Sequence, residues 1–298
     1  MSAAPSLFCF GLGYAAGFLA RALAAEGWRI AGTSREAAAC KRLAMQGFDM
    51  HLFAPDRPLA APAVAALGTA THLLSSAPPD AAGDPVLATH RAAIAALRQL
   101  RWVGYLSTTG VYGDRDGAWV DEGSALTPSG ERGRRRVAAE AEWLDLRRRH
   151  GLPVHVFRLA GIYGPGRSAL DTVRQGRAQR VDKPGQVFSR IHVADIVATL
   201  RASMARPDPG AAYNVCDDDP APPEAVVAHA CALLGVAPPP LVPFDAAELS
   251  PMARSFYDDN KRVSNRRIKQ ELGVRLRYPS YKDGLKALLH RATPPASA

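Results

Sequence analysis

The 298-residue sequence predicts an α/β fold: one large unit built on a doubly wound parallel sheet, with an appended lobe. Three observations carry that expectation. Apolar runs alternate with helical stretches through the first half of the chain. The runs are short and mostly continuous rather than alternating with polar residues, as parallel strands covered on both faces require. A glycine-rich turn stands directly between the first run and the first helix.

Residues 7–10 read as an apolar strand, 15–26 as a helix and 28–32 as a second strand, which makes one βαβ unit. Gly27 ends that helix where a left-handed cap is wanted. Further strands are expected at 49–53, 71–76, 101–109 and 153–160, with helices between them that include 86–100 and 130–150. The segment "GIYGPGRSALD" is punctuated by glycine and proline and reads as an ordered loop. Residues 222–236 read as an amphipathic helix, followed by "APPPLVPF" as an extended proline-rich connector. Helices at 264–274 and 281–292 close the chain, the first with Ser264 as its N-cap and Gly273 as its stop. The last residues, "ATPPASA", are small and proline-rich, so 293–298 are expected to form a disordered tail.

A net charge of +9 points to anionic partners, but the excess is arginine scattered over helices rather than a lysine-rich arm. Phosphorylated small ligands suit this pattern better than nucleic acid. Arg147, Arg148 and Arg149 lie at a helix C-terminus, where cations complement the dipole, and lack aromatic interleaving. Cys9, Cys40, Cys216 and Cys231 share no metal-ligand spacing, which suggests free thiols in a reducing compartment, with no disulfide and no zinc. The stretch "LFCFGLGYAAGFLARALAA" imitates a signal peptide. No Lys or Arg precedes it and its glycines fit a turn, so a cytoplasmic chain without a membrane partner is expected.

Gly11, Gly13 and Ala16 form G-x-G-x-x-A directly after the first strand. The first glycine permits the tight turn, the second admits a pyrophosphate to backbone amides, and the small third residue lets helix and strand pack closely. About 20 residues further on, an NAD site places an acid against the ribose 2′-hydroxyl. This chain has Thr33, Ser34 and Arg35 there instead. A hydroxyl and a guanidinium suit a 2′-phosphate, so NADP(H) is the expected cofactor; a solvated helix start is the competing reading of Arg35. Tyr14 in the turn, and Ser75 and Ser76 at the end of the fourth strand, complete the expected cofactor contacts.

The ordered set "YLSTTGVYGD" (105–114), "FRLAGIYGPGR" (157–167), "SRIHVADIV" (189–197) and "YNVCDDDP" (213–220) resembles the extended short-chain dehydrogenase/reductase family, which includes nucleotide-sugar epimerases and dehydratases. The resemblance runs from about residue 6 to 290. It implies an NAD(P)-binding Rossmann domain over 1–160 and a smaller C-terminal substrate lobe over 161–292 with interleaved Rossmann elements. It also implies that Thr108 polarises a substrate oxygen, against the plainer reading of a strand-end threonine. Members that eliminate water resemble Thr-Asp-Glu at this place; Thr109 and Gly110 follow here, which disfavours that route.

The family's catalytic pair is Tyr-x-x-x-Lys on one helical face. Alignment on "VAAEAEW" places Arg132 where the tyrosine belongs and Arg136 where the lysine belongs. Arg136 keeps the lysine's charge and its ribose contacts. Arg132 cannot pass a proton, because a guanidinium stays protonated at any working pH. Two substitutes are open: Tyr112 supplies a hydroxyl, or Arg132 acts as a fixed cation that stabilises an oxyanion. A solvated face, with Arg132, Arg134, Arg135 and Arg136 paired to Glu131 and Glu140, is the third reading. Arg167 and Arg190 are candidates for a substrate phosphate or carboxylate. His192 and Asp195 resemble a segment that anchors the lobe. The resemblance therefore implies an atypical member, an NADP(H)-dependent oxidoreductase or epimerase acting on a nucleotide sugar or similar phosphorylated carbohydrate. The competing reading is an NADP(H)-binding sensor without turnover. Helices 86–100 and 130–150 would pair in a homodimer, unless the arginines prevent it.

Overall fold

The computed structural model describes residues 4–292, so the expected tail at 293–298 lies outside the described residues. The chain divides into two compact units. The first takes residues up to Thr108 together with Glu131–Arg158 and Val197–Tyr213; the second takes Thr109–Gly130, Leu159–Ile196 and the chain from Asn214 on.

In the first unit, β1 (Ser6–Phe10), β2 (Arg29–Ser34), β3 (Asp49–Leu52), β4 (His72–Ser75) and β5 (Trp102–Thr108) alternate with α1 (Tyr14–Ala24), α2 (Ala37–Ala44), α3 (Ala61–Gly68) and α4 (Pro85–Ala95). The chain continues through β6 (Trp119–Val120), α5 (Glu131–His150), β7 (Val154–Leu159), β8 (Gly161–Tyr163), α6 (Ala169–Arg174), β9 (Arg180–Asp182), β10 (Arg190–His192), α7 (Val193–Ala205) and β11 (Ala212–Val215). Seven strands form the central sheet in the order β11-β7-β5-β4-β1-β2-β3. Every registered pair in it is parallel. The order reverses at β1, which sets the carboxyl end of that strand at a topological switch point.

Every residue of β1, β4 and β7 is buried, the pattern that continuous apolar runs demand. The residues α1 buries include Ala15, Ala16, Gly17 and Ala20, and side chains this small bring the helix close to the sheet. α5 carries twelve charged or titratable side chains over about 30 Å of axis, yet it buries Ala139, Glu140, Trp143 and Leu146, a stripe at helical spacing. That stripe joins a core containing Phe8, Phe10, Val103 and Tyr105.

The second unit contains short parallel pairs, β8 with β10, β9 with β12 (Leu241–Pro243) and β6 with β13 (Arg262–Val263). Its helices include α8 (Pro223–Leu234), α9 (Pro251–Ser255), α10 (Arg266–Gln270) and α11 (Tyr281–Ala292). Tyr163, Leu170, Val226, Tyr281 and Leu285 build its core. Three elements here differ from the sequence expectation. The proline-rich connector contains a strand, β12, because it pairs on one side only, with β9, and proline is tolerated where a backbone donor would face away from the partner strand. The helix expected over 264–274 shrinks to five residues, with Asn265 rather than Ser264 as N-cap; the Ser264 hydroxyl accepts from the Arg266 amide at 3.4 Å. The loop at 161–171 holds β8 and the start of α6.

Candidate functional site

Residues 11–13 turn the chain from β1 into α1. Gly11 has φ +79°, and a Cβ there would lie 3.3 Å from the Ala77 backbone nitrogen, so the position admits glycine for two separate reasons. Thr33, at the end of β2, holds the turn: its Oγ1 accepts from the Gly11 amide at 2.9 Å and its carbonyl from the Leu12 amide at 2.8 Å. Thr33 is therefore a buried brace for the turn. Gly13 is the N-cap of α1 and offers no side chain to close the first-turn amides, and no acid stands in that turn. This leaves the positive end of the helix to an anion.

The other residues expected at a cofactor gather around this turn. Tyr14 opens α1, half-buried, with its ring 5.2 Å edge-on from Phe18. Ala16, in the first turn of α1, is fully buried. Ser34 accepts from the Glu36 amide at 3.2 Å, and Arg35 is exposed beside it. Ser75 ends β4 opposite Phe10 and is fully buried, with no hydrogen-bond partner for its hydroxyl among the described residues. A buried orphan hydroxyl at the carboxyl edge of the sheet is costly without a ligand or water. The Ser76 amide donates to the Phe10 carbonyl at 2.9 Å.

Thr108 ends β5, half-buried. The four arginines at the start of α5 divide by what they touch. Arg134 and Arg135 pair with Glu131 at 3.0 and 3.2 Å, as helical spacing expects. Arg132 is exposed. Arg136 turns onto β5, where its Nη1 donates to the Leu106 carbonyl and, at 3.2 Å, to the Tyr105 hydroxyl. Burial raises the Tyr105 hydroxyl well above the ordinary tyrosine range, and Arg136 opposes the shift.

The solvated-face reading fails at Glu140. This carboxylate is buried and accepts from the Arg158 guanidinium at 2.8 and 3.2 Å and from the Ser107 hydroxyl. It pairs inward across the helix because its position falls in the apolar stripe of α5. Beside it, Asp84 caps α4 through the Val86 and Leu87 amides at 2.9 and 3.0 Å and accepts from the Trp143 indole at 2.9 Å. Burial raises the Asp84 carboxyl, and the Trp143 bond is the foremost of the contacts that oppose it. The sequence reading did not single out Tyr105, Ser107, Arg158 or Asp84. An arginine inside the apolar run "VHVFRLA" was the available signal, since a buried cation demands a buried anion.

In the second unit, Tyr112 is fully buried and its hydroxyl donates to the Asn214 side chain at 2.7 Å. Arg167 is exposed in the loop between β8 and α6. Arg190 donates through Nη1 to the Phe188 and Ala221 carbonyls at 2.8 and 2.9 Å. His192 is buried 4.1 Å from the Tyr278 ring, and its Nδ1 accepts from the Ala194 amide. Asp195 accepts from the Arg277 and Tyr278 amides at 2.7 and 3.1 Å, so it ties down the segment before α11. The four cysteines are free and buried. Among the described residues no His, Cys, Asp and Glu cluster could hold a metal ion, and no helix is long and apolar enough to cross a membrane.

A parallel sheet that reverses at β1, with a glycine turn leading into an uncapped helix, defines a Rossmann-type protein. The chain belongs to the NAD dependent epimerase/dehydratase family, whose model matches residues 11–216. It is 55% identical to a conserved protein of unknown function from Silicibacter pomeroyi DSS, whose solved structure superposes with a TM-score of 0.88 over 97% of this chain and 100% of that one. It is 29% identical over 287 residues to Protein YeeZ of Escherichia coli K12, covering 90% of this chain and 94% of that protein. The UDP-glucuronic acid 4-epimerase of Bacillus cereus, solved with UDP-glucuronic acid and NAD, shares the fold at 14% identity, with a TM-score of 0.76 over 97% of this chain and 100% of that one.

Proposed function

We propose that this protein is an NADP(H)-dependent oxidoreductase or epimerase acting on a nucleotide sugar or similar phosphorylated carbohydrate. The observation that carries the cofactor choice is the end of β2, where Thr33 braces the glycine turn and Ser34 and Arg35 follow with no acid between them. Gly11, Gly13 and the first turn of α1 would hold the pyrophosphate, Ser34 and Arg35 the 2′-phosphate, and Ser75 and Ser76 the edge of β4 beside it. The orphan Ser75 hydroxyl fits such a ligand, because it lacks a hydrogen-bond partner among the described residues.

When bound, the dinucleotide supplies or accepts a hydride. The protein's share is orientation and charge. Thr108 hydrogen-bonds the substrate oxygen at the end of β5. Arg132 presents a permanent cation to developing negative charge and transfers no proton. Arg136 holds α5 to β5 through the Leu106 carbonyl, which fixes the helix that carries Arg132. The Tyr112 hydroxyl proton is already given to Asn214, so the oxyanion route through Arg132 has the better support of the two.

Arg35→Ala tests the cofactor choice. It is expected to weaken NADPH by about tenfold or more, the worth of a charged hydrogen bond, and to leave NADH nearly unchanged. Equal losses in a fluorescence titration count against a 2′-phosphate at Arg35.

One observation favours a second reading, a dinucleotide sensor without turnover. Tyr112 is committed to Asn214 and Arg132 keeps its proton at any working pH, so neither substitute for the tyrosine offers a mobile proton. A carbonyl panel monitored for NADPH oxidation, beside thermal shift with NADPH, separates the two. Stabilisation with no turnover on any member supports the sensor.

A further inference from the structure

The second unit carries an open cavity of about 410 Å³. Tyr163, Arg167, Arg177, Arg190 and Tyr281 line it, so three arginines and two aromatic residues share one wall; the Arg177 guanidinium donates to the Gln175 side chain, which also lines the cavity. One carboxylate, Asp171, faces them and is held by the Ser168 hydroxyl at 2.6 Å. The wall is net positive.

Arg190 is fixed there in advance. Both of its carbonyl bonds, to Phe188 and Ala221, run through Nη1, which leaves Nη2 and Nε for a ligand. A guanidinium held by two backbone carbonyls loses little further freedom when it binds an anion. Asp217 lies near enough to interact electrostatically with both Arg190 and Tyr163; it is buried, and its Oδ2 has no partner among the described residues.

Size limits the ligand. At about 410 Å³ the cavity lies toward the lower end of the roughly 300–1,000 Å³ range of small-ligand pockets. That size suits a hexose phosphate or a sugar acid, with roughly thirteen to sixteen non-hydrogen atoms, better than a nucleotide sugar, which has more than twice as many.

We propose that this cavity binds a carbohydrate-sized ligand bearing a single phosphate or carboxylate, with Arg190 as the anion anchor and Arg167 and Arg177 completing the charged wall. The carbohydrate part rests on the functional reading above; the anion part rests on the cavity alone. Tyr163 and Tyr281 would receive the apolar faces of the sugar ring.

Isothermal titration of the full chain with glucose 6-phosphate, glucuronate and UDP-glucose tests this, with NADPH titrated separately. The expected result is binding of glucose 6-phosphate or glucuronate, and the arm that binds tells phosphate from carboxylate. Arg190→Gln should weaken it about tenfold, and Arg167→Gln and Arg177→Gln by several-fold, while NADPH affinity is unchanged. If Arg190→Gln fails to fold, the other two variants decide, since neither residue holds a buried carbonyl pair. No heat from either small ligand, binding of UDP-glucose alone, or affinity unchanged in the variants overturns the proposal. Failure of NADPH to bind, with arginine-dependent sugar binding intact, removes the functional reading and leaves this site standing.

Discussion

Glu140 and Arg158 are both almost fully buried, their side chains 2% and 6% exposed, in a chain whose other ion pairs are mostly at the surface. Two charges taken out of water repay their desolvation only when geometry and further hydrogen bonds are good. Here the guanidinium contributes both Nε and Nη2, and Ser107 adds a third donor to the same carboxylate. Removing one partner leaves the other charged and uncompensated. Glu140→Ala is therefore expected to cost about 3–5 kcal/mol, whereas replacing both residues with methionine should cost much less or nothing. Urea denaturation of the two variants checks this. If Glu140→Ala loses under about 1 kcal/mol, the pair behaves as a solvent-screened surface pair and its burial does not set its worth.

At the scale of elements, what was legible followed from periodicity. The β1, glycine turn and α1 unit was readable because continuous burial on a strand and small residues on a helix leave separate marks: Leu7–Phe10 is apolar without a break, and Ala15, Ala16 and Ala20 recur on one face. β2 ran two residues beyond its expected end, because Thr33 and Ser34 are polar and look like a turn until Thr33 is seen bracing Gly11. α5 misled in the opposite way. Its arginines and glutamates all sit at spacings that permit surface pairs, and Glu131 makes such pairs with Arg134 and Arg135. Glu140 does not, and the discriminating signal was its place beside Ala139, one turn before Trp143 and two before Leu146. Arg136 shares that difficulty: no sequence pattern tells a guanidinium reaching for a ribose from one reaching for the Leu106 carbonyl. The lobe was less legible because its strands are two or three residues long and pair with segments tens of residues away, so no local period marks them.

At the scale of the whole molecule, buried titratable groups set how stability follows pH, and two of them act over separable windows. Burial, and secondarily Arg101, lowers His72 from 6.5 to about 4. Its folded pKa lies below its unfolded one, so its neutral form contributes stability that is complete above about 6.5 and fades as pH falls toward 4. Burial raises Asp217 from 3.8 to about 8; the Asp219 amide and Arg190 oppose the shift, and the Asp218 and Asp219 carboxylates add to it. The folded state then binds the proton more tightly than the unfolded chain, so this group's contribution is complete below about 4 and is lost as pH rises to 8. Between 6.5 and 8 the histidine contribution is constant while Asp217 still loses up to ~1.4 kcal/mol per pH unit. Asparagine copies the protonated acid in shape and has no proton to lose. Asp217→Asn is accordingly expected to gain on the parent protein as pH rises, so that the difference in urea midpoint between them grows from pH 5 through 6.5 to 8. Taking the difference between the two curves cancels Asp84, Glu122 and Asp195, which burial also raises. Parallel curves over that range would show that Asp217 is ionised in the folded protein, with Arg190 turned toward it as a partner.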